Sequence, residues 1–446
     1  MPPSRGYEIT LKMIIPQRGR RFPIASSFEH AYARQIQNLK SKIPLCYTRP
    51  AHSTQAKGNG VSVRSDVIRI GLDLSCLMAR PLTGVGYYTL NLFQAFAARQ
   101  GPFDVRVVAS SFRPKTDLFQ TLRTQCSRVR VLPWPTRLKN RMWTTLEWPP
   151  LEWFTGQVDI AHGAFHLLPP SRHARRMVTI FDLSNLRYPE MHRAESFGIH
   201  EPLLRHAAAK ADLIVAISES CKTDVVELLG VAPERVRVVL GGINIEEFTE
   251  ALDDRLLETL KKRFSIAGDY LIHLGTLEPR KNLPRLLDAY ARVRQRFNDC
   301  PQLVLAGQAG WMFEDVFSAI ERLHLRGRVV HTGYLERNEA VCLLRGAHSC
   351  VYPSLYEGFG LPVLEAMAAR TPVLTSNVSS MPEVVGGTGI LVDPQSVESI
   401  ESGLVSLIED RAASLQRAEA AFDRAKRFTW QNSARALAEI YSGLLP

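Results

Sequence analysis

The alternation of short β-branched runs with longer helical stretches is the feature that most constrains the fold of this chain. Six such runs precede a charged helical stretch near residues 246–263, and six more follow it. Strands separated by helices form parallel sheets that helices cover on both faces. The pattern therefore predicts an α/β protein with two doubly wound, Rossmann-like domains. The predicted strands are 67–73, 104–109, 128–132, 176–181, 212–217 and 235–240, then 269–275, 302–307, 328–333, 348–352, 371–376 and 389–393.

Domain boundaries follow from the same pattern. We expect an extension over 1–65, a first domain over 66–255, a second over 256–425, and a C-terminal helix over 426–446 that packs back on the first domain. Ligands of doubly wound sheets bind outside the carboxyl ends of the strands. Two such domains therefore predict a site in a central cleft between them.

The net charge of +11 is concentrated at the N-terminus, since residues 1–65 contain eleven basic residues against two acidic ones. The nearly neutral remainder argues against a nucleic-acid enzyme. The extension is interpreted as a disordered tail or as sequence upstream of a misplaced start, with a transit peptide as the third alternative.

The chain lacks an apolar run long enough to span a bilayer. Seven cysteines without a C-x-x-C pair predict reduced thiols and a cytoplasmic protein.

The stretch SLYEGFGLPVLEA (354–366) has an acid on each side of a glycine-rich loop. Pro362 is suited to the first turn of a helix, which places Glu357 in the loop and Glu365 one turn into the helix. Gly358 and Gly360 let the backbone approach a ligand, and free N–H groups at a helix start favour an anion. The stretch therefore predicts an anion site flanked by two carboxylates.

A second stretch, LGTLEPRKN (274–282), leaves a predicted strand and carries the adjacent cations Arg280 and Lys281. Together with the helix start near Leu361, these cations could hold a diphosphate and stabilise it as a leaving group. The alternative is a solvated basic turn, which would be the better interpretation of this stretch taken alone.

Residues 67–440 resemble a retaining glycosyltransferase of the GT-B fold, family four (glycosyl transferases group 1), in which two Rossmann-like domains face a central cleft. The resemblance rests on the E-x7-E spacing of Glu357 and Glu365, on EPRKN, on SSMPEVVGGTGILVDP (379–394), and on PLTGVGYYTLNL (81–92). It implies a hexose transferred from a nucleotide diphosphate sugar. GDP-mannose is the first expectation for the donor, and a UDP-hexose is the alternative.

The resemblance also implies roles for individual residues. Glu357 contacts the donor sugar and Glu365 the nucleotide ribose, while Arg280 and Lys281 meet the charge of the diphosphate. Asp182 completes the expected catalytic group. No D-x-D occurs, and a mechanism without metal or other cofactor is expected. The remaining residues expected to bind the nucleotide sugar are Gly84, Gly86, Gly275, Gly333, Tyr334, Gly358, Phe359, Gly360 and Leu361.

The chain departs from the family pattern at two positions. Thr276 stands where many relatives have an arginine after the glycine, and Phe181 stands where many have a histidine before the aspartate. His162 and His166, following a probable strand, could compensate for the absent histidine. Hydrogen-bonded loop histidines are the better interpretation of that pair.

The expected acceptor is a glycan or a polyprenyl-linked sugar, carried by the N-terminal domain. Four tryptophans lie near basic residues in that domain, which favours peripheral membrane contact as much as simple packing onto the core. Three other hypotheses stay open: a nucleotide-sugar epimerase, a non-catalytic glycan- or nucleotide-binding subunit, and a dehydrogenase suggested by Gly84 and Gly86. The segment concerned contains Trp134, Trp143, Trp148 and Trp153 with Arg137, Lys139 and Arg141.

Overall fold

The computed structural model describes residues 67–78, 84–99, 101–111, 122–124 and 126–445. These residues belong to one compact unit, Ser65–Pro446. The expectations for the extension and for Cys46 lie outside the described residues. The six described cysteines are free thiols, as predicted.

A seven-stranded, all-parallel sheet forms the core of the N-terminal domain, with the strand order β3-β2-β1-β4-β5-β6-β7. Most residues of these strands are buried, because helices cover both faces of the sheet. The strands are β1 (Ile68–Asp73), β2 (Phe103–Ser110), β3 (Arg128–Leu132), β4 (Ile160–Gly163), β5 (Arg175–Ile180), β6 (Leu213–Ala216) and β7 (Val236–Val238).

A second all-parallel sheet, of six strands, forms the C-terminal domain in the order β10-β9-β8-β11-β12-β13. Its strands are β8 (Tyr270–Leu274), β9 (Gln302–Ala306), β10 (Val329–Gly333), β11 (Ser349–Tyr352), β12 (Val373–Ser376) and β13 (Ile390–Val392). Each of the twelve predicted strands is present, within two residues at either end. The doubly wound α/β architecture is therefore confirmed.

The helices of the first half are α1 (Gly84–Ala98), α2 (Thr136–Thr145), α3 (Glu152–Thr155), α4 (Ser184–Arg187), α5 (Ala194–Lys210), α6 (Glu219–Leu229), α7 (Glu246–Thr249) and α8 (Asp254–Phe264). Those of the second half are α9 (Leu283–Arg296), α10 (Glu314–Arg322), α11 (Arg337–Arg345), α12 (Leu361–Ala368), α13 (Met381–Val385), α14 (Val397–Glu409), α15 (Arg411–Ala425) and α16 (Trp430–Gly443). Short 3-10 turns lie at Ser75–Met78, Pro189–Met191, Pro233–Arg235 and Pro279–Lys281.

Both sheets reverse their strand order beside their first strand. In the N-terminal sheet β1 lies between β2 and β4, and in the C-terminal sheet β8 lies between β9 and β11. Loops leaving such a pair of strands diverge to opposite sides of the sheet and open a crevice at the carboxyl ends. Both stretches singled out in the sequence, EPRKN and EGFGLP, follow the two strands of this kind in the C-terminal sheet.

The last helix, α16, packs against α1 of the N-terminal domain. The hydroxyl of Tyr441 lies 2.6 Å from Nδ1 of His162, and Ser433 donates a hydrogen bond to the carbonyl of Leu240. The ring of Trp430 packs edge-on against Tyr88 at 5.5 Å. Because Tyr441 and Trp430 are almost fully buried, this helix completes the core of the first domain although it is the last element of the chain.

The aromatic and basic segment 134–153 is not a uniform surface patch. Trp143 and Lys139 are fully buried, with the lysine ammonium 4.7 Å from the tryptophan ring, so for these two residues the packing interpretation is right and the membrane interpretation is wrong. Local sequence could not show this, because the partners that bury them come from other elements. Trp153 is 46% exposed. Among the described residues, we find no helix that combines the length and the apolarity needed to cross a bilayer.

Candidate active site

The loop between β11 and α12 carries Glu357 at the carboxyl edge of the C-terminal sheet. Its Oε1 accepts hydrogen bonds from Nζ of Lys281 at 2.6 Å and from the hydroxyl of Ser354 at 2.9 Å. Its Oε2 accepts from Arg280 at 2.7 Å. A carboxylate that is 7% exposed is thus held by two cations from the predicted basic turn. The sequence pattern correctly brought the two stretches together.

Glycines let this loop approach the N-terminal domain. A Cβ on Gly358 would lie 2.1 Å from the carbonyl oxygen of Phe181, and Gly360 has a left-handed φ of 102°. The hydroxyl of Ser218, at the N-terminus of α6, donates to the carbonyl of Gly358 at 2.6 Å. The two domains therefore meet at the glycine-rich loop, and α12 begins at Leu361 as predicted.

The basic turn is anchored from both sides. Asn282 adopts a φ of 61°, and its side-chain amide donates to the carbonyls of Pro353 and Pro394 at 3.0 and 2.6 Å. Nζ of Lys281 also donates to the hydroxyl of Tyr352 at 2.6 Å, and Arg280 lies 2.6 Å from Glu278. The cations are therefore fixed in place before any ligand arrives.

Electrostatics keeps Glu357 and Asp182 ionised in the cleft. Burial alone would raise the pKa of Glu357, but Arg280 and Lys281 outweigh burial and hold it at about 2. Burial would likewise raise the pKa of Asp182, yet Arg280 and two hydrogen bonds from Ser184 leave it below its ordinary value. Burial and the neighbouring Arg280 lower the pKa of Lys281, against the opposing effect of Glu357.

A cavity of about 720 Å³ lies between the two domains at this edge. The four residues predicted to be catalytic line it together: Asp182, Arg280, Lys281 and Glu357. Six of the residues predicted to bind the nucleotide sugar also line it: Gly84, Gly275, Gly358, Phe359, Gly360 and Leu361. The cavity thus contains most of the predicted site in one place.

Four predicted residues do not line this cavity. Gly86 is buried within α1, while Gly333 ends β10 and Tyr334, which follows it, is 54% exposed. Glu365 is buried in α12, where its Oε1 accepts from Arg337 at 2.5 Å. Arg337 also contacts Glu247 at 2.8 Å, so Glu365 takes part in an ion-pair network that runs back to the first domain.

The two histidines considered as replacements do not line the cavity either. His162 lies within β4 rather than after it, and its ring bonds the hydroxyls of Tyr441 and Thr179. His166 accepts a hydrogen bond from the backbone N–H of Phe181 at 3.1 Å. Both side chains are therefore structural, and burial lowers the pKa of each to about 3.

Several lining residues were not singled out from the sequence. Arg193 and Trp311 enter the cavity from opposite domains, and the indole N–H of Trp311 donates to the carbonyl of Met191 at 2.8 Å. Tyr352 ends a buried strand, and Glu278 belongs to EPRKN, which follows one. Their positions at the carboxyl ends of strands could therefore have identified both. Arg193 and Trp311 lie in segments without a distinguishing pattern. Within the described residues, no group of three or more His, Cys, Asp or Glu side chains is arranged to hold a metal ion.

Comparison with known proteins agrees with this geometry. Residues 82–247 match the model of Glycosyltransferase Family 4, and residues 259–425 match that of Glycosyl transferases group 1. The O-antigen chain mannosyltransferase B of Escherichia coli is 30% identical over 282 residues, which is 63% of this chain and 74% of that relative. The serotype-specific mannosyltransferase WbdA of Escherichia coli is 30% identical over 241 residues, or 53% of this chain, which spans only 29% of that relative.

Solved structures show the same fold. Sucrose-phosphate synthase from Thermosynechococcus elongatus superposes with a TM-score of 0.66 at 20% identity, covering 84% of this chain and 99% of that one. Anabaena HepE in complex with UDP and glucose gives 0.62 at 20% identity, covering 84% and 100%. The fold and the cleft thus define a GT-B glycosyltransferase. The chain belongs to the glycosyl transferases group 1, the family that its motifs resemble.

Proposed function

We propose that this enzyme is a retaining hexosyltransferase that moves mannose from GDP-mannose to a glycan or a polyprenyl-linked sugar. The observation that carries the proposal is the cluster of Glu357, Arg280 and Lys281 in the cleft, facing Asp182 across it. The two 30% identical relatives named as mannosyltransferases support the choice of sugar.

The cluster suits a diphosphate leaving group. Arg280 and Lys281 would pair with the two phosphates, as charge-assisted hydrogen bonds from a guanidinium and an ammonium do. Their bonds to Glu357 would then weaken and leave its oxygens to accept from sugar hydroxyls. N–H groups at the start of α12, near Gly360 and Leu361, would add partial positive charge on the same side.

In the proposed reaction, the acceptor hydroxyl attacks the anomeric carbon from the face that the nucleotide leaves. The bond from that carbon to the phosphate oxygen breaks, its electron pair stays on the phosphate, and the phosphate oxygen takes the acceptor's proton. The products are the glycosylated acceptor and a nucleoside diphosphate, with the anomeric configuration retained. The charge on the leaving group would be met by Arg280 and Lys281 without a metal ion.

The first test is a thermal-shift titration with GDP, UDP, ADP and their mannose and glucose conjugates, with and without EDTA. Selective stabilisation by GDP-mannose that EDTA leaves unchanged is expected, because a ligand that binds the folded state and not the unfolded one raises the unfolding temperature. Selective stabilisation by a UDP-hexose would show that GDP-mannose is not the donor. A thermal shift that EDTA abolishes would show that donor binding requires a metal ion.

A substitution tests the role of the carboxylate. Glu357→Gln should abolish most transfer, since the amide cannot accept from hydroxyls with both atoms, whereas the exposed Glu398→Gln is the matched control. The product anomer, read by NMR coupling constants, tests retention. Full transfer by Glu357→Gln, or a product of inverted configuration, would refute the mechanism.

We also propose peripheral membrane contact through the exposed part of 137–153, where Leu146 and Trp153 are 60% and 46% exposed beside Arg137 and Arg141. Aromatic and basic side chains together favour the interface of an anionic bilayer. Flotation with vesicles containing anionic lipid, comparing the wild type with Trp153→Ser, is the test. Equal flotation of the two proteins would contradict it.

A further inference from the structure

Tyr356 precedes Glu357 in the loop between β11 and α12, and its side chain contacts the N-terminal domain. Tyr356 is 3% exposed and does not line the cleft cavity. Its hydroxyl donates a hydrogen bond to Oδ2 of Asp224 at 2.5 Å and accepts one from the backbone N–H of Leu183 at 3.2 Å. Both partners belong to the N-terminal domain, so this one hydroxyl joins the two domains.

Asp224 is a fixed anchor for that hydroxyl. It lies in α6, is 4% exposed, and its Oδ1 accepts a hydrogen bond from Arg187 at 2.6 Å. Burial raises the pKa of Tyr356 well above its ordinary value, so the phenol keeps its proton and donates to the carboxylate. The ring of Tyr188 packs edge-on against that of Tyr356 at 5.9 Å. The hydroxyl is therefore held by its partners and by the packing of its ring.

The hydrogen bond from Leu183 fixes the peptide that follows Asp182, the acid that the N-terminal domain contributes to the cleft. Oδ1 of Asp182 accepts from the backbone N–H and the hydroxyl of Ser184 at 3.1 and 2.7 Å. Those two bonds fix the carboxylate relative to its own loop. Tyr356 fixes the same loop relative to the C-terminal domain. The position of Asp182 in the cleft thus depends on a hydroxyl from the opposite domain.

The backbone of Tyr356 contacts the cations of the cleft. Its carbonyl accepts from Nη1 of Arg280 at 3.0 Å, and the same nitrogen donates to Glu357 at 2.7 Å. A Cβ on Gly358 would lie 3.2 Å from Cβ of Asp182, so the loops of the two domains are in close contact here. One residue therefore holds Asp182 through its side chain and Arg280 through its main chain.

We propose that Tyr356 is a positioning residue for the transfer reaction, and that its hydroxyl sets the position of Asp182 relative to Glu357 across the cleft. This inference rests on the proposed function and on Asp182 as part of its catalytic group. Tyr356 touches neither donor nor acceptor and acts through Asp182. Its hydrogen bonds resist displacement, because a buried carboxylate and a buried N–H would otherwise be left without a partner. A shift of about 1 Å in a reacting group can cost about 10²-fold in rate.

Tyr356→Phe removes the hydroxyl and keeps the ring. We expect kcat to fall at least about tenfold, measured well below the unfolding temperature, because Asp182 loses its fixed position. The KM values of donor and acceptor should change less than about threefold, because the groups that bind the substrates remain. A wild-type kcat in folded Tyr356→Phe, or a rise in KM with kcat unchanged, would overturn the positioning role.

Tyr290→Phe is the matched control. Tyr290 is fully buried in the C-terminal domain, and its hydroxyl donates to the carbonyl of Pro301 at 2.7 Å, away from the cleft. This variant also loses a buried hydrogen bond, so it should lose stability and keep the wild-type kcat. A loss of kcat equal to that of Tyr356→Phe would show a general effect of stability and would overturn the proposal. If Tyr356→Phe does not fold, Asp224→Ala removes the anchor of the hydroxyl instead, and a wild-type kcat in that variant would overturn the proposal.

A double-mutant cycle tests whether Tyr356 acts through Asp182. Rates are measured with the enzyme in excess over the donor, so that slow single turnovers can be followed. Once Asp182→Ala has removed the carboxylate, adding Tyr356→Phe should lower the rate by less than about twofold more, because two residues that act as a unit are not additive. A further loss as large as that of Tyr356→Phe alone would show that Tyr356 acts by another route and would overturn the proposal.

Donor binding separates this inference from the proposed function. The nucleotide sugar that stabilises the wild type should raise the unfolding temperature of Tyr356→Phe by a similar amount, because the donor site is intact. If the wild type transfers the hexose and Tyr356→Phe transfers it equally fast, only the positioning role is wrong. If no nucleotide sugar stabilises the wild type and no hexose is transferred, the proposed function fails, and this inference fails with it.

Discussion

The cleft cavity lies at the carboxyl edge of the C-terminal sheet, and a second cavity of about 470 Å³, the N-terminal cavity, lies at that of the N-terminal sheet beside Asp73 and Lys139. The first six strands of the two sheets follow the same order, yet the charges of the two cavities are arranged differently. The cleft cavity has three acids and three bases among its described lining residues, namely Asp182, Glu278, Glu357, Arg193, Arg280 and Lys281. The N-terminal cavity has the single buried pair of Asp73 and Lys139. In the cleft one carboxylate, Glu357, is shared by two cations, Arg280 and Lys281, whereas in the N-terminal cavity Asp73 pairs with Lys139. The same fold therefore holds a network of several charges in one cavity and one charge pair in the other.

The largest expected effect comes from breaking the pair of Asp73 and Lys139. Lys139→Met leaves the buried carboxylate of Asp73 without its cation, which should cost about 3–5 kcal/mol of unfolding free energy, measured in urea. Adding Asp73→Asn should recover most of that loss, because both charges are then gone. The exposed Lys426→Met is the control and should leave the urea midpoint unchanged. If Lys139→Met leaves the free energy of unfolding unchanged, the buried carboxylate of Asp73 does not depend on Lys139 for its charge partner.

Removing a cation from the cleft should act on catalysis. Arg280→Met takes away a charge that we propose to pair with the leaving group, and losses of about 10²–10³ in kcat are typical for one such group. Arg280→Lys keeps the charge but loses the planar guanidinium, so its kcat should lie between those of the wild type and Arg280→Met. The exposed Arg292→Met should match the wild type. Unchanged kcat in Arg280→Met would place the diphosphate elsewhere.

The hydrogen bond between α16 and β4 offers a smaller test of a buried polar pair. Tyr441→Phe removes the hydroxyl that meets Nδ1 of His162 and leaves a buried nitrogen without its partner. A loss of about 1–3 kcal/mol of unfolding free energy is expected. Tyr334→Phe, at an exposed hydroxyl, is the control. Equal stabilities of the two variants would show that the last helix is held by packing alone.

The smallest expected effect is a pH dependence of stability. Burial lowers the pKa of His162 to about 3, so the unfolded chain binds a proton more readily than the folded one below its ordinary pKa of about 6.5. The free energy of unfolding should therefore decrease as the pH is lowered, by about 0.7 kcal/mol from pH 7 to pH 6 for this one group. His162→Gln should reduce the wild-type loss by that amount. Identical pH profiles of unfolding free energy for the wild type and His162→Gln would contradict a neutral, buried imidazole at His162.

Local patterns were enough to predict the alternation of strands and helices and the meeting of EPRKN with EGFGLP. Both stretches follow buried strands of one parallel sheet, so their side chains had to reach the same edge. Local patterns did not identify Arg193 and Trp311 as residues of the cleft, because both lie in segments without periodicity. They also did not show that Glu365 bonds Arg337, because that bond depends on how α11 and α12 pack.

The sequence by itself determined the α/β class, the two doubly wound domains, the family and the meeting of EPRKN with EGFGLP, since these follow from strand periodicity and short motifs. Only the tertiary structure decided that Lys139 closes on Asp73 and that His162 meets Tyr441. These partners are 66 and 279 residues apart in the chain. A contact over such a distance is made by packing, and no local pattern of residues records it.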